Sequence, residues 1–190
     1  MKVSREQAAK NRERIVDVAG QLFCERGFDG IGVADLMKAA GLTHGGFYGH
    51  FSSKDDLVAE ACKKALARGA KRWTGLTENA PGAPLAAIAR DYVSELHRDN
   101  PGKGCLLAAL GSDAARQSAQ VRDEVTEGLE ALIAILAAAS PGRSKAQKRK
   151  AALATMAQMV GAIVLARLVD DEALSCEILG ASVSAVESPQ

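Results

Sequence analysis

Residues 33–57 read VADLMKAAGLTHGGFYGHFSSKDDL, and the architecture of the whole chain follows from how this stretch is parsed. Val33 to Ala40 carries apolar residues at helical spacing and stops at Gly41, the residue type that readily takes the left-handed conformation closing a helix. Leu42 is the apolar residue of the turn, and Thr43 stands where an N-cap is wanted for a next helix running to about His50. Two short helices joined by a three-residue turn containing glycine are the layout of a helix-turn-helix. Ser52 and Ser53 then offer an N-cap for a helix from Lys54 to about Arg72, with Asp55 and Asp56 in its first turn, where carboxylates suit the helix dipole.

Working outward, Arg5 to Arg26 places Ile15, Val18, Ala19, Leu22 and Phe23 on one helical stripe, and Gly27 follows as its stop. On the other side, Asn79 to Pro84 is a loop, and Pro84 sits near the first position of a helix over about Leu85 to Asp99. Asn100-Pro101-Gly102 ends that helix, and a short segment from about Cys105 to Leu110 follows. Three longer helices close the chain: about Ala119 to Ala139, Lys145 to Leu168 and Glu172 to Val186, the first two separated by Ser140-Pro141-Gly142. The expectation is an all-α protein of about nine helices, with a three-helix helix-turn-helix head over residues 1–53 and a helical body over residues 54–190.

Composition narrows the function. Hydrophobic residues make up 47% and aromatics only 4% of 190 residues, and the formal net charge is +1, so any nucleic-acid case rests on local placement rather than whole-chain charge. No signal peptide is legible, and the longest apolar stretch, Met156 to Val169, reads as too short and too charged at its end to span a bilayer. The expected location is therefore cytoplasmic, without membrane partners. Cys24, Cys62, Cys105 and Cys176 lack metal-ligand spacing and read as reduced thiols. No metal, cofactor or catalytic residue is expected. Only three histidines exist, His97 has Glu95 nearby but no Glu-x-x-His pair, and there is neither a phosphate-cradling glycine loop nor a nucleophile elbow, which argues against an enzyme.

The run from Val33 to Leu57 resembles the signature of TetR/AcrR family transcriptional regulators: an apolar helix, Ala-Gly-apolar, a capping Ser or Thr, a recognition helix of small residues, Tyr-x-His-Phe, and Lys-Asp/Glu-x-Leu. The close resemblance covers about residues 10 to 58. It implies a regulator, repressor more than activator, that binds a palindromic operator in double-stranded DNA as a homodimer and is released by a small-molecule effector. Residues 54–190 would then hold the effector-binding and dimerisation functions. The DNA-facing residues implied are Val33, Thr43, His44, Gly45, Gly46, Tyr48, His50 and Lys54, with Phe47, Phe51 and Leu57 turned inward against the first helix. Thr43, Tyr48, His50 and Lys54 suit phosphate oxygens, whereas His44 and Lys38 are the side chains able to reach base edges. Gly32 stands where Ser or Thr is usual, Met37 where Ala is usual, and Gly46 where a slightly larger residue is usual, which suggests that Gly46 makes room for Met37.

In the body, Leu153, Ala157, Val160, Gly161, Val164 and Leu168 form one stripe and Leu174, Ile178, Leu179 and Val183 another. The resemblance implies a four-helix interface from two such helices per subunit; ordinary core is the alternative. Candidate cavity residues are Trp73, Tyr92, Leu96, Cys105, Leu106, Leu110, Leu129, Met156 and Met159, again with plain core as the alternative. With Trp73 and Tyr92 the only aromatics after Phe51, a stacking cage for large planar cations is disfavoured. Cys105, near Lys103 at a helix start, offers a second mode of sensing by reaction of its thiol with oxidants or electrophiles. The cations Lys2, Arg5, Lys10, Arg12 and Arg14 fit either a solvated helix start or an arm along DNA, and Arg143, Lys145, Lys148, Arg149 and Lys150 fit a solvated helix start better than a second DNA patch.

Overall fold

The computed structural model describes residues 4–188, so Lys2 of the basic amino-terminal cluster lies outside the described residues. The described residues form nine α-helices and two short 3-10 turns, with no strand: α1 (Arg5–Arg26), α2 (Val33–Ala39), a 3-10 segment (His44–Gly49), α3 (Lys54–Asn79), α4 (Pro84–Tyr92), α5 (Glu95–Asp99), a 3-10 turn (Pro101–Lys103), α6 (Leu106–Ala114), α7 (Ala119–Ala139), α8 (Lys145–Leu168) and α9 (Glu172–Glu187).

Most helix ends carry the caps their sequence offers. Ser4, Ser53, Ser118 and Ser144 each accept a bond from the backbone amide three residues on, and Ser144 with Gln147 makes a full capping box. The turn of the helix-turn-helix is a Schellman motif. Gly41 takes φ +68°, its N–H donates to the Lys38 carbonyl at 3.0 Å, and Leu42 N–H donates to the Met37 carbonyl at 2.8 Å. That geometry aims the chain from α2 into the following segment.

Three spans differ from the sequence expectation. The segment after Thr43 is 3-10 rather than α-helical, since Gly45, Gly46 and Gly49 remove the side-chain packing and backbone restriction that favour an α-helix. Helix α3 runs on to Asn79 because Trp73 is buried and the hydroxyls of Thr74 and Thr77 bond back to the carbonyls of Ala70 and Thr74. The expected helix from Leu85 to Asp99 is broken at Val93: the Ser94 side chain caps α5, and the His97 ring takes the Tyr92 carbonyl that a continuous helix would have used.

Two apolar cores result. The first joins α1, α2 and the 3-10 segment through Ile15, Phe23, Leu36, Met37, Phe47 and Phe51, and continues into α3, α6 and α7 at Leu57, Cys62, Leu110 and Val121. The second fills the body around Trp73, Ile88, Leu132, Leu136, Met159 and Ile163. Helices α3 and α7 approach closely at Gly128, where a Cβ would stand 2.6 Å from the Leu66 side chain. Helix α8 corrects the expectation that no stretch matches a bilayer. By length and composition it is long and apolar enough to cross one, with mean hydropathy 1.7 over its most apolar 18 residues, because the alanines before Met156 extend the apolar run. Here it packs one face on α7 and α9, burying Ala152, Met156, Met159 and Ile163.

Candidate nucleic-acid interface and body cavity

The outer side of the 3-10 segment is a patch of hydrogen-bonding side chains with no partner among the described residues. Phe47 and Phe51 stack at 5.5 Å between ring centroids and are buried, as is Leu57, so the segment is pinned from within. Tyr48 is thereby turned out and is 70% exposed, with its ring edge-on to His44 at 6.4 Å. Thr43 and His44 are exposed, and His50 and Lys54 are half-buried at the edge of the patch. Thr43 occupies the N-cap position, yet its hydroxyl makes no capping bond and stays available for an external acceptor. Val33 is half-buried and packs on the first core, and Gly32 caps α2 without a side-chain bond. Gly45 and Gly49 have open space where a Cβ would be, so the backbone is bare on this side. Gly46 does not make room for Met37 in any strict sense: a Cβ there would lie 3.7 Å from the Met37 Cε, an ordinary contact. Of the amino-terminal cations, Arg12 is spoken for, since its guanidinium lies 4.4 Å over the Phe51 ring and pairs with Glu60. Lys10 pairs with Glu6.

The break between α4 and α5 opens a cavity of about 680 Å³ walled by α1, α3, the α4–α5 corner and the Pro101–Lys103 turn. Of the nine candidate cavity residues, Trp73, Tyr92, Leu96 and Cys105 line it. The other five expected wall residues do not. Leu106, Leu110, Met156 and Met159 are sealed into the two cores, and Leu129 is half-buried against the second core. Their apolar character was read correctly, but burial against neighbouring helices leaves no face for a ligand. The wall residues that sequence reading missed are mostly polar: Asp17 and Gln21 of α1, Arg68 and Arg72 of α3, Asp91, Asn100 and Lys103. No periodicity links them, because they come from separate elements.

The inner end of the cavity is held by a bonded frame. Nδ1–H of His97 donates to the Tyr92 carbonyl at 2.6 Å, while the Cys105 amide donates to His97 Nε2 at 2.8 Å. Both ring nitrogens are thus committed in the neutral tautomer, and burial, reinforced by the Arg167 charge, lowers the His97 pKa. Arg167 reaches over from α8 and donates to the carbonyls of His97, Arg98 and Ala108. The Tyr92 hydroxyl is buried with no hydrogen-bond partner among the described residues, and burial followed by the adjacent Cys105 pushes its pKa well up, so it remains a neutral phenol. Burial also raises the Cys24 thiol to about 11 and the Cys62 thiol to about 12, which keeps both protonated and unreactive.

On the far face, α8 and α9 present Leu153, Ala157, Val164, Leu168 and Leu174 to solvent, while Val160, Gly161, Ile178 and Val183 are half-buried. Leu179 belongs elsewhere: at 4% exposure it is packed into the second core between the two helices. Leu165, which the stripe reading omitted, is 51% exposed and extends the same face. Glu95, Glu172 and Cys176 bring three ligand atoms within 4.8 Å of one another, but the Arg98 guanidinium bonds both Glu172 and Cys176 and supplies the positive charge there itself. The basic start of α8 is solvated apart from a two-pronged Arg149–Glu130 pair.

The family model for bacterial regulatory proteins of the tetR family matches residues 15–61. Among curated relatives, the transcriptional repressor NemR of Escherichia coli (strain K12) is 28% identical over 131 residues, 67% of this chain and 66% of NemR. The regulator AcrR of Shigella flexneri is 31% identical over 93 residues, 49% of this chain and 43% of AcrR. The matched stretches therefore span just under two thirds of NemR and under half of AcrR. Among solved structures, the reduced form of E. coli NemR superposes with a TM-score of 0.79 at 23% identity, covering 93% of this chain and 96% of that one. A TetR regulator from Legionella pneumophila gives 0.78 at 20% identity, covering 98% and 97%. Residues 15–61 thus carry the helix-turn-helix of the tetR family of bacterial regulatory proteins, and nearly the whole described chain shares the fold of solved TetR regulators.

Proposed function

We propose that this protein is a repressor that binds a palindromic operator as a homodimer and lets go of it when a small molecule enters the body cavity. The observation that carries the reading is the outer side of the 3-10 segment. Thr43, His44 and Tyr48 stand exposed beside Lys54 on a bare glycine backbone, while Phe47 and Phe51 anchor the segment from inside. Hydroxyls, an imidazole and an ammonium at the amino ends of helical turns are what phosphate oxygens of a duplex accept from, and they fix position rather than sequence. With so few side chains aimed at base edges, much of the specificity would come from the shape of the groove. Residues 1–53 are the DNA-reading head in this reading and residues 54–190 the sensing and pairing body.

Pairing follows from the solvent-facing leucines of α8 and α9, a contiguous apolar face of the sort that marks a protein–protein contact. A second copy on this face gives an isologous four-helix junction and places two heads side by side on a palindrome. Repression is supported by relatives that are themselves named repressors. The test is a mobility shift with the DNA upstream of the protein's own gene. A shift by the unmodified protein that weakens with Tyr48→Phe and Lys54→Ala supports the reading, and no shift in dilute buffer ends it.

A second reading has one observation in its favour: Cys105 lies on the cavity wall and is half-buried, unlike the sealed thiol of Cys62. Modification of that thiol would then replace effector binding. Prompt labelling of Cys105 that releases DNA supports it; inertness together with a response to a non-reactive small molecule rejects it.

A further inference from the structure

The charges around the cavity do not cancel. Both carboxylates on its wall are already engaged: Asp91 receives two bonds from Arg72, and Asp17 pairs with Lys64 at 2.8 Å. Arg68 and Lys103, also on the wall, make no ion pair among the described residues. Behind Gly104, where a Cβ would come within 3.3 Å of its guanidinium, sits the half-buried Arg167, bonded to three backbone carbonyls and to no carboxylate. A partly buried cation whose partners are all neutral leaves a positive potential that an anion placed nearby would relieve. Apolar wall is supplied by Leu66, Trp73 and Leu132, beside the neutral polar side chains of Gln21, Ser94 and Asn100, and the Tyr92 hydroxyl, without a partner among the described residues, belongs to a residue of the same wall. A cationic guest is poorly served, because the two aromatic rings meet edge-on at 69° and both carboxylates are taken.

We propose that this cavity takes an organic anion, a carboxylate on an aromatic or aliphatic body, with the head group at Arg68 and Lys103 and the body against Leu66, Trp73 and Leu132. The inference rests on the effector-sensing reading and gives it a ligand class. The volume of about 680 Å³ is within the range of sites for drug-sized molecules. Because Asp17 and Gln21 of α1 also line the cavity, an occupant would touch a helix of the DNA-reading head directly.

Trp73 is the one tryptophan of the chain and lines the cavity, so its fluorescence reports occupancy. The full-length protein is titrated with 4-phenylbutyrate, decanoate, 4-phenylbutanamide and 4-phenylbutylamine. Saturable changes with the two acids are expected, with the amide about tenfold weaker, as loss of charge-assisted contacts implies, and the amine weaker still. In Arg68→Gln/Lys103→Gln the preference of acid over amide should fall to about twofold or less. Thermal unfolding checks that variant's fold; independently, added salt should weaken the acids in the unmodified protein and leave the amide unchanged. An amide or amine that binds as well as the acid overturns the proposal, as does a lack of saturable response to either acid at millimolar concentration. Mobility shifts run alongside separate the two levels. Failure of the ligand-free protein to bind DNA sinks the regulator reading itself, whereas release by the amine and not by the acids keeps that reading and removes the anion.

Discussion

Individual glycines in the head do opposite jobs, and the difference sits in their surroundings. At Gly30 a Cβ would fall 1.9 Å from the Arg26 carbonyl oxygen, and backbone cannot step aside. Gly30→Ala should therefore destabilise the fold by about 1–3 kcal/mol, read as a lower urea midpoint. Gly45 faces open space, so Gly45→Ala should leave the midpoint no lower while weakening operator binding, since the new methyl projects from the proposed DNA face. A fall in stability with unchanged DNA affinity would contradict that placement. His97 gives a pH signature. Its ring lies among Tyr92, Arg167, Asp91 and Arg72, and burial lowers its folded pKa below the ordinary 6.5. The unfolded chain thus binds a proton first, so stability falls as pH drops through 6.5 and levels off below the folded value. His97→Asn should flatten this part of the Tm-against-pH curve relative to the unmodified protein.

Among the elements, the passage from α2 through Gly41 to the 3-10 segment is the most sensitive. Gly41 has φ +68° with nothing within 4 Å of a Cβ, so the obstacle to another residue is conformational rather than steric. Gly41→Ala should cost roughly 1–2 kcal/mol and loosen the angle between α2 and the segment that follows. Its DNA affinity should fall beyond what the loss of folded protein explains, as measured by a mobility shift well below the melting temperature. The sequence revealed this turn because Ala-Gly-Leu-Thr is short and each residue has one evident job. It did not reveal that the next segment is 3-10, because three glycines leave the local preference nearly flat and the buried Phe47 and Phe51 settle it instead. The α4–α5 break was equally hidden. Ser94 is an unremarkable polar residue until the His97 ring, coming round from the next turn, takes the Tyr92 carbonyl.

For the whole molecule, two proposals are coupled: the paired body and the paired heads. Leu165→Asp with Leu168→Asp introduces charge into the exposed α8 face without touching either core, so the subunit should stay folded. Sedimentation should show a single subunit and operator affinity should collapse with it. A dimer that survives both substitutions places the interface elsewhere. Salt dependence tests the phosphate contacts, because cations and carboxylates nearly balance along the chain and cannot produce a general attraction to DNA. The slope of log affinity against log salt should be steep, and Lys54→Ala should reduce it by about 1 per subunit.

The sequence by itself determined the order of the helices apart from the 3-10 segment and the α4–α5 break, the Ser53 cap of α3, the helix-turn-helix turn and the inward side of the head. Each of these follows from residues within a few positions of one another, where backbone preference and helical spacing act directly. Tertiary structure alone decided which apolar residues are core and which are wall or exposed face. Met156, Met159 and Leu179 are indistinguishable in pattern from Leu153 or Leu168 until the neighbouring helix covers one set and leaves the other bare. It also decided the charge of the cavity, because Arg68 and Lys103 share a wall, with Arg167 behind Gly104, only after three distant segments have packed.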